Sequence, residues 1–513
     1  MADPLSPPDE AFTNAGRASV DTPNDDWRDM EARWELIERL CEGTQAMRDA
    51  REELLPMESG EERKDYENRL SRSFLYDGLK SAVRNLSSKP FEESVKVEGG
   101  ELPEMLQPIE QNADRCGTDL TQFAKAVFTD ALKHGHTHIM VDYPRGRPGL
   151  NLAAARAEDI RPYFRIVCAR SLFGWRLAWD ETYKKIPLQI RYRETLQIPA
   201  GDFGSYAKES ITVWTPSSYQ IWLQEKAGGK FMPMGEPVPH TFPGIPIVSI
   251  YFDDEHGYFT STPPLWSLAE CNLAHWQSSS DQRNALRFAR MAILHQTGVS
   301  PDETKKQLKI GPTAVVRSTN PQAGLAFVEH SGASMKIGQD DLDLLEERMD
   351  QLAGQPLMVR PTGSTTATEK AIDEGKAAAT IIAWVRAVEL GLREAYRLAA
   401  QWTGETLPND FAVNIYDDFA LSFKASEDMQ TLHTMRAGRD LSQKTYLSEI
   451  KRRGVLSNKV NVEDEMRAIQ EEGPAIPPTP TQPEPEGAAS AQGAEQSAEP
   501  EGEGQRVGFA AEG

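Results

Sequence analysis

The stretch KHGHTHIMVDYPR, residues 133–145, places His134, His136 and His138 at alternate positions ahead of an apolar run. Alternate residues of a strand point to one face, so a strand starting at His136 would set His136, His138, Met140 and Asp142 side by side. Two imidazoles and a carboxylate on one face form a zinc-ligand set, and a metal-activated water there would make the chain a metal-dependent hydrolase. A structural expectation competes with this. A Lys-His pair followed by Gly135 is how helices commonly end, with cations on the last carbonyls and a glycine free to take positive φ. Ile139, Met140 and Val141 then read as a strand that Pro144 closes. Neither an H-E-x-x-H helix nor another assigned histidine completes a metal shell, and the expectation is histidines that pack and cap, with no metal.

The elements that would hold this stretch can be read outward from it. A helix capped at Thr118 runs through Leu120, Phe123, Ala124, Val127, Ala131 and Leu132 into the Lys-His-Gly end. Upstream, Trp27, Met30, Trp34, Ile37, Leu40 and Cys41 predict a helix from Asp26 to about Leu55, and Tyr66, Leu70, Phe74, Leu79 and Val83 a second over 62–86. Downstream, residues 160–255 are β-rich, and ITVWT and YQIWLQ joined by PSS predict a hairpin. A long helix follows over 264–291. Short strands at 292–298, 311–318 and 324–330 come next, with the helix SPDETKKQLKI (300–310) between the first two. An acidic helix is predicted over 339–354, a loop over 355–368, and a helix of about 35 residues beyond it, longer than a lone globular domain usually needs. Three short helices end the patterned part.

Composition narrows the classes of function. The chain has 513 residues, 39% of them hydrophobic, enough for roughly two to four domains with real cores. Residues 1–25 and 473–513 have compositions that build no core, and both are expected to be disordered. The net charge is −22, of which seven glutamates against Arg506 in the tail from Pro474 supply −6. Such a balance opposes tight duplex binding, which depends on neutralising phosphates with Lys and Arg. It does not exclude a surface past which DNA slides without sticking. Cys41, Cys116, Cys168 and Cys271 form no C-x-x-C pair and are expected to be reduced and mostly buried. Neither a signal peptide nor a membrane-spanning run is visible, so a soluble cytoplasmic protein is expected. There is no P-loop, G-x-S-x-G elbow or kinase motif set. No catalytic residues are assigned, no cofactor is implied, and the chain is not expected to be an enzyme.

The order of parts is more informative than any one motif. The phrases PLWSLAECNLAHWQSSSDQRNALRFARMAILHQTG, then GPTAVVRS…GLAFVEHSGASM…DDLDLLEERMDQLAG, then LSQKTYLSEIKRRGVL resemble the portal, or head-to-tail connector, proteins of tailed bacteriophages, in particular a subgroup often described only as an uncharacterised phage domain. The resemblance covers about residues 26–472 and implies an α+β portal fold. Its expected parts are a wing over 26–263, a first stem helix over 264–291, a clip over 292–338 and a second stem helix over 339–354. A tunnel loop over 355–368, a long wing helix and its return over 369–425, and a crown over 426–472 complete it.

The resemblance also implies a function: a homo-oligomeric ring, expected to be a dodecamer, at one capsid vertex of a virion assembled in the host cytoplasm. Double-stranded DNA would pass non-specifically through its channel during packaging and ejection. Expected partners are the terminase large subunit, head-tail adaptor or tail proteins, and the major capsid and scaffolding proteins, with no membrane. Asp340, Asp341, Asp343, Glu346, Glu347 and Asp350 crowd the second stem helix and would repel phosphates if they faced the channel. Arg360, between Val359 and Pro361, is expected to touch DNA transiently, and Lys305, Lys306 and Lys309 to meet a partner at the clip.

Overall fold

The computed structural model describes residues 19–144, 158–226, 228–253, 256–290, 293–297, 322, 324–328, 333–354, 367–417, 425–452, 456 and 460–472. They form a mixed α+β chain in two compact units, 1–423 and 424–513. In the first unit the N-terminal helices are α1 (Asp25–Glu42), α2 (Thr44–Asp49), α3 (Arg63–Arg72), α4 (Gly78–Ser88) and, after the short strand β1 (Lys96–Glu98), α5 (Leu120–His134). The β-rich region holds β2 (His136–Asp142), β3 (Tyr163–Cys168), β4 (Leu172–Trp179), β5 (Lys185–Ala200), β6 (Gly204–Trp214), β7 (Ser218–Gln224), β8 (Phe231–Pro233), β9 (Val238–Pro239) and β10 (Ile247–Tyr251), followed by a two-residue pair, β11 (His256–Gly257) and β12 (Thr260–Ser261). Then come α6 (Trp266–Ala289), β13 (Ile293–Thr297), β14 (Gly324–Val328), α7 (Ala333–Leu352), α8 (Ala367–Thr403) and β15 (Ala412–Asn414), which pairs with β1.

Two sheets organise this unit. In the smaller, β2 lies between β10 and β3, antiparallel to both. Its alternation sends Ile139 and Val141 into a core shared with α5 and α8, and Met140 into a second core with Trp34, Phe173, Trp175 and Phe259. The larger sheet runs β4-β5-β6-β7-β8, with β9 also on β7. The expected ITVWT/YQIWLQ hairpin is present as β6 and β7, with Trp214 opposite Tyr219.

Tryptophans fasten helices to strand and loop backbone. Trp34 Nε1 donates to His134 O at 3.1 Å, Trp384 Nε1 to Phe252 O at 2.9 Å, and Trp402 Nε1 to Val141 O at 3.0 Å. Each ring is apolar payload with a donor that finds a carbonyl when buried. The 37-residue α8 lies close on β10, where Gly391 leaves no room for a Cβ, which would meet the Ile250 side chain at 2.4 Å.

Several expectations change. The helix expected over 26–55 breaks at Gly43, whose φ of +107° ends α1. The one expected over 62–86 is α3 plus α4, because Ser73 is extended and Arg48 takes its carbonyl with bonds of 3.0 and 2.7 Å. Asp119, not Thr118, caps α5: its side chain accepts from Gln122 N at 2.8 Å, while Thr118 bonds Asp114. Residues 19–24, expected within a disordered N-terminus, lie along the larger sheet. Asn24 exchanges side-chain bonds of 3.1 Å with both backbone groups of Trp175, and Val20 O accepts from Arg191 at 2.8 Å. The bonds to Trp175 occupy the free edge of β4, which would otherwise invite pairing.

The second unit contains α9 (Ala425–Ala437), α10 (Gln443–Arg452) and α11 (Val462–Glu472). Among its described residues, Ser442 caps α10 by accepting from Thr445 N at 3.1 Å. The expected strand over 311–318, the helix over 300–310 and the acidic tail lie outside the described residues.

Gly135, with φ +86°, tests the packing around β2. A Cβ there would lie 2.5 Å from Thr262 O, which is backbone and cannot swing aside. Gly135→Ala is expected to cost roughly 2 kcal/mol or more, read as a lower urea midpoint at unchanged slope.

Candidate functional site

The three histidines split by face. At the end of α5, His134 is fully buried between two carboxylates: Nδ1 lies 3.0 Å from Asp130 Oδ1 and Nε2 3.3 Å from Glu38 Oε1. Burial opposes its charge, but Asp130 and Glu38 overcome that and raise it to about 9. Burial would likewise raise Glu38, yet hydrogen bonds from His134 and Arg170 bring it down to about 2. The result is an ionised link between α1 and α5, extended by Arg170 in the turn after β3. His136 and His138 are neutral by contrast. Burial, then the His134 charge, lowers His136 to about 3, and burial followed by His136 lowers His138. His136 stacks on Tyr251 at 5.6 Å, His138 meets Phe259 edge-on at 5.1 Å, and its Nδ1 lies 2.9 Å from Ser249 Oγ.

The structure does not bring Asp142 to these rings. It shares their face, as expected, but six residues along a strand put it about 20 Å from His136. Its carboxylate is already engaged, accepting from Tyr163 Oη at 2.8 Å and lying 3.6 Å from Arg165. Among the described residues no group of three or more His, Cys, Asp or Glu is placed to hold a metal ion. The arrangement binds helix to sheet.

The helix pair α6–α7 is the second candidate. Its helices pack against each other, and β13 and β14, which lie between them in sequence, pair antiparallel from Ile293↔Val328 to Thr297↔Gly324. The expected acidic helix begins six residues earlier than 339, at Ala333. Gly338 lies within it, where the Gln282 side chain of α6 packs directly over the glycine and would have to shift to admit a Cβ. Gln282 Nε2 bridges the crossing to Met335 O at 2.7 Å. The buried side of α7 carries Leu342 and Met349, with Ala353 buried just past its end, and Glu346 turns inward toward the buried His275, 3.4 Å away. The pair is anchored to the body by Arg69 of α3. Only 4% exposed, it bonds Glu61 and Pro56 O at 2.8 Å and reaches Asp281 of α6 at 3.3 Å.

The six acidic residues of α7 therefore do not share a face. Asp340, Asp343, Glu347 and Asp350 fall at intervals of three and four and form one stripe. Glu346 belongs to the packed side, and Asp341 lies on the opposite flank beside Ile337, Leu344 and Arg348. That flank was missed in the sequence. Ile337 is 70% and Leu344 62% exposed, large apolar groups seven residues apart. Their spacing was the available signal, hidden because the acid count drew attention to the other side. Arg360, Lys305, Lys306 and Lys309 lie outside the described residues. No described helix is long and apolar enough to cross a membrane.

The His134 link gives a pH test. Its pKa is near 6.5 when unfolded and about 9 when folded. The stability it contributes is thus full below 6.5 and lost as pH rises through 9. His134→Gln is expected to be less stable at pH 6 and to lack the wild-type decline between pH 7 and 9.5, measured by urea unfolding across that range.

Comparison with known proteins bears on the same stretch. Residues 264–403, from just before α6 to the end of α8, match a family described as a domain of unknown function (DUF4055), under a third of the chain. No curated protein matches. Three solved structures come from gene transfer agent particles. One is the neck of an empty particle computed with C6 symmetry, at 11% identity and a TM-score of 0.40, covering 74% of this chain and 90% of that one. The others are a native particle virion and a native neck computed with C12 symmetry, both at 12% identity and covering 72% and 88%, with TM-scores of 0.38 and 0.36. At such low scores no residue role carries over.

Proposed function

We propose that the chain is a structural subunit of a phage-type portal. In this reading identical copies form a ring at one capsid vertex, a channel for genome packaging and ejection and a docking platform for the terminase large subunit and for adaptor or tail proteins. The observation that carries the reading is the division of α7. One flank is an acidic stripe in which Asp340, Asp343 and Glu347 are exposed and Asp350 is half-buried, and the other presents the exposed Ile337 and Leu344. A ring requires one surface of each copy to dock on a different surface of the next. An apolar flank beside a polar one provides that: the first seats against the neighbouring helix pair, the second lines the hole.

Acid lining a channel acts by repulsion. DNA carries one charge per roughly 1.7 Å of duplex axis, and a wall of carboxylates gives it nothing to displace counterions with, so it slides without sticking. No bond is made or broken, and the reading assigns the chain no catalytic step. The order of helix, hairpin, helix and long helix also agrees with the stem, clip, stem and wing order of the portal resemblance.

Native mass spectrometry with negative-stain imaging tests this directly. The expected species is a closed ring of about a dozen copies with a central hole; a stable monomer at all concentrations would overturn it. Ile337→Glu with Leu344→Glu is expected to disperse the ring into subunits whose circular dichroism matches wild type, since both side chains are exposed.

A further test concerns the stripe. Asp340→Asn, Asp343→Asn, Glu347→Gln and Asp350→Asn together are expected to leave the ring intact. The variant should retain duplex DNA at low salt, weakening steeply as salt rises, where the wild type retains none in a filter-binding assay.

A further inference from the structure

The β5–β6 hairpin outruns its sheet. β4 pairs with β5 only over Lys185–Tyr192, and β7 joins β6 only from Ser210 onward. From Thr195↔Glu209 to Ala200↔Gly204 the two strands pair, among the described residues, only with each other. This leaves a ribbon reaching about 20 Å past the body, closed by a turn in which Gly201 takes a φ of +65°.

The pattern along that arm is not that of a free loop. On the sheet proper, Ile190, Tyr192 and Trp214 occupy the face turned into the core. The same face continues outward as Leu196 opposite Lys208 and Ile198 opposite Tyr206. Phe203 stands at the tip, wholly exposed, with Tyr206 50% and Leu196 37% exposed. The other face is Thr195, Gln197, Pro199, Ser205, Ala207 and Glu209. The arm is thus amphipathic, and its apolar side continues a core-facing surface beyond the core that covers it. Two-stranded ribbons are marginal in water unless something packs on them.

Resting on the ring reading above, we infer that this arm is an intersubunit clasp: its Leu196, Ile198, Phe203 and Tyr206 face seats on the neighbouring copy of the chain. Two observations choose that occupant. The apolar face offers a few hundred Å² at most, below the roughly 800 Å² per partner that a specific interface needs by itself. It can only supplement a larger contact between the same two molecules, which adjacent ring subunits make. Residues 195–209 also carry only two acids, Asp202 and Glu209, against one base, Lys208, on a chain of net charge −22. The arm can approach a second acidic copy without the repulsion that most of the surface would meet.

The test places a photo-crosslinking amino acid at Phe203 in the full chain and assembles rings from mixed light and heavy-isotope subunits. The expected product is a ladder of covalent oligomers whose crosslinked peptides pair light with heavy. Crosslinks confined to one copy, for example to residues 145–157, would overturn the inference, as would rings that form no crosslink at the arm. In parallel, Leu196→Ser, Phe203→Ser and Tyr206→Ser together are expected to raise the concentration at which rings dissociate at least tenfold, with the subunit's circular dichroism unchanged. Rings of undiminished stability would remove the clasp and leave the ring reading standing. A wild-type chain that never leaves the monomer would remove both.

Discussion

A strand covered on both faces and paired on both edges has no solvent to hide a charge in, and β2 brings two imidazoles into that position. His136 and His138 must stay neutral there, because burial makes protonation far more costly than in water. The adjacent His134 takes the opposite solution. It remains charged because two carboxylates flank it, and it fixes the end of α5 to α1. The alternation that places the rings also sends Ile139 and Val141 to the opposite core, so one strand determines where α5 and α8 lie.

From that fixed body the helix pair projects by a different logic. At its crossing Gln282 lies over Gly338 and donates to Met335 O at 2.7 Å. Its attachment depends on Arg69, which is buried but not isolated: carboxylates of Glu61 and Asp281 and the Pro56 carbonyl surround the guanidinium. A buried charge matched this fully is costly to break from one side, so it holds an angle as well as a distance. The orientation of the pair is in this way tied to α3.

Much of this was legible in the sequence, and the rest was hidden for identifiable reasons. Helical and strand periodicity revealed α5, the β6–β7 hairpin, α6 and α8, because each buries a face large enough to impose its period on the residue types. Breaks were read less well. Ser73 ends a helix where Arg48, distant in sequence, takes its carbonyl, and Gly338 lies inside one where Gln282 of α6 crosses it. Both are tertiary facts with no local signature. The shared face of His136, His138 and Asp142 was legible; that Asp142 lies too far along it, bound to Tyr163, was not. The acidic residues of α7 were visible as a composition, while their division between faces needed the side on which α6 packs.

Two surfaces, the Ile337 and Leu344 flank of α7 and the far half of the β5–β6 hairpin, share one property: regularly spaced apolar residues that the cores of the described residues do not cover. Single exposed apolar residues are ordinary on any protein. A periodic series on a regular element is different, because its spacing is maintained where no described part of the chain covers it. On a chain of charge −22, copies repel at distances up to a Debye length of about 8 Å in physiological salt. Association must therefore come from short-range apolar contact at places where acid is sparse or turned aside. The flank of α7 meets that condition because most of the helix's carboxylates lie on the stripe or on the packed side, and the arm because its net charge is only −1. Under the ring proposed above, patterning for assembly and patterning for a repellent channel are compatible on one molecule, since on α7 they occupy different faces of the same helix.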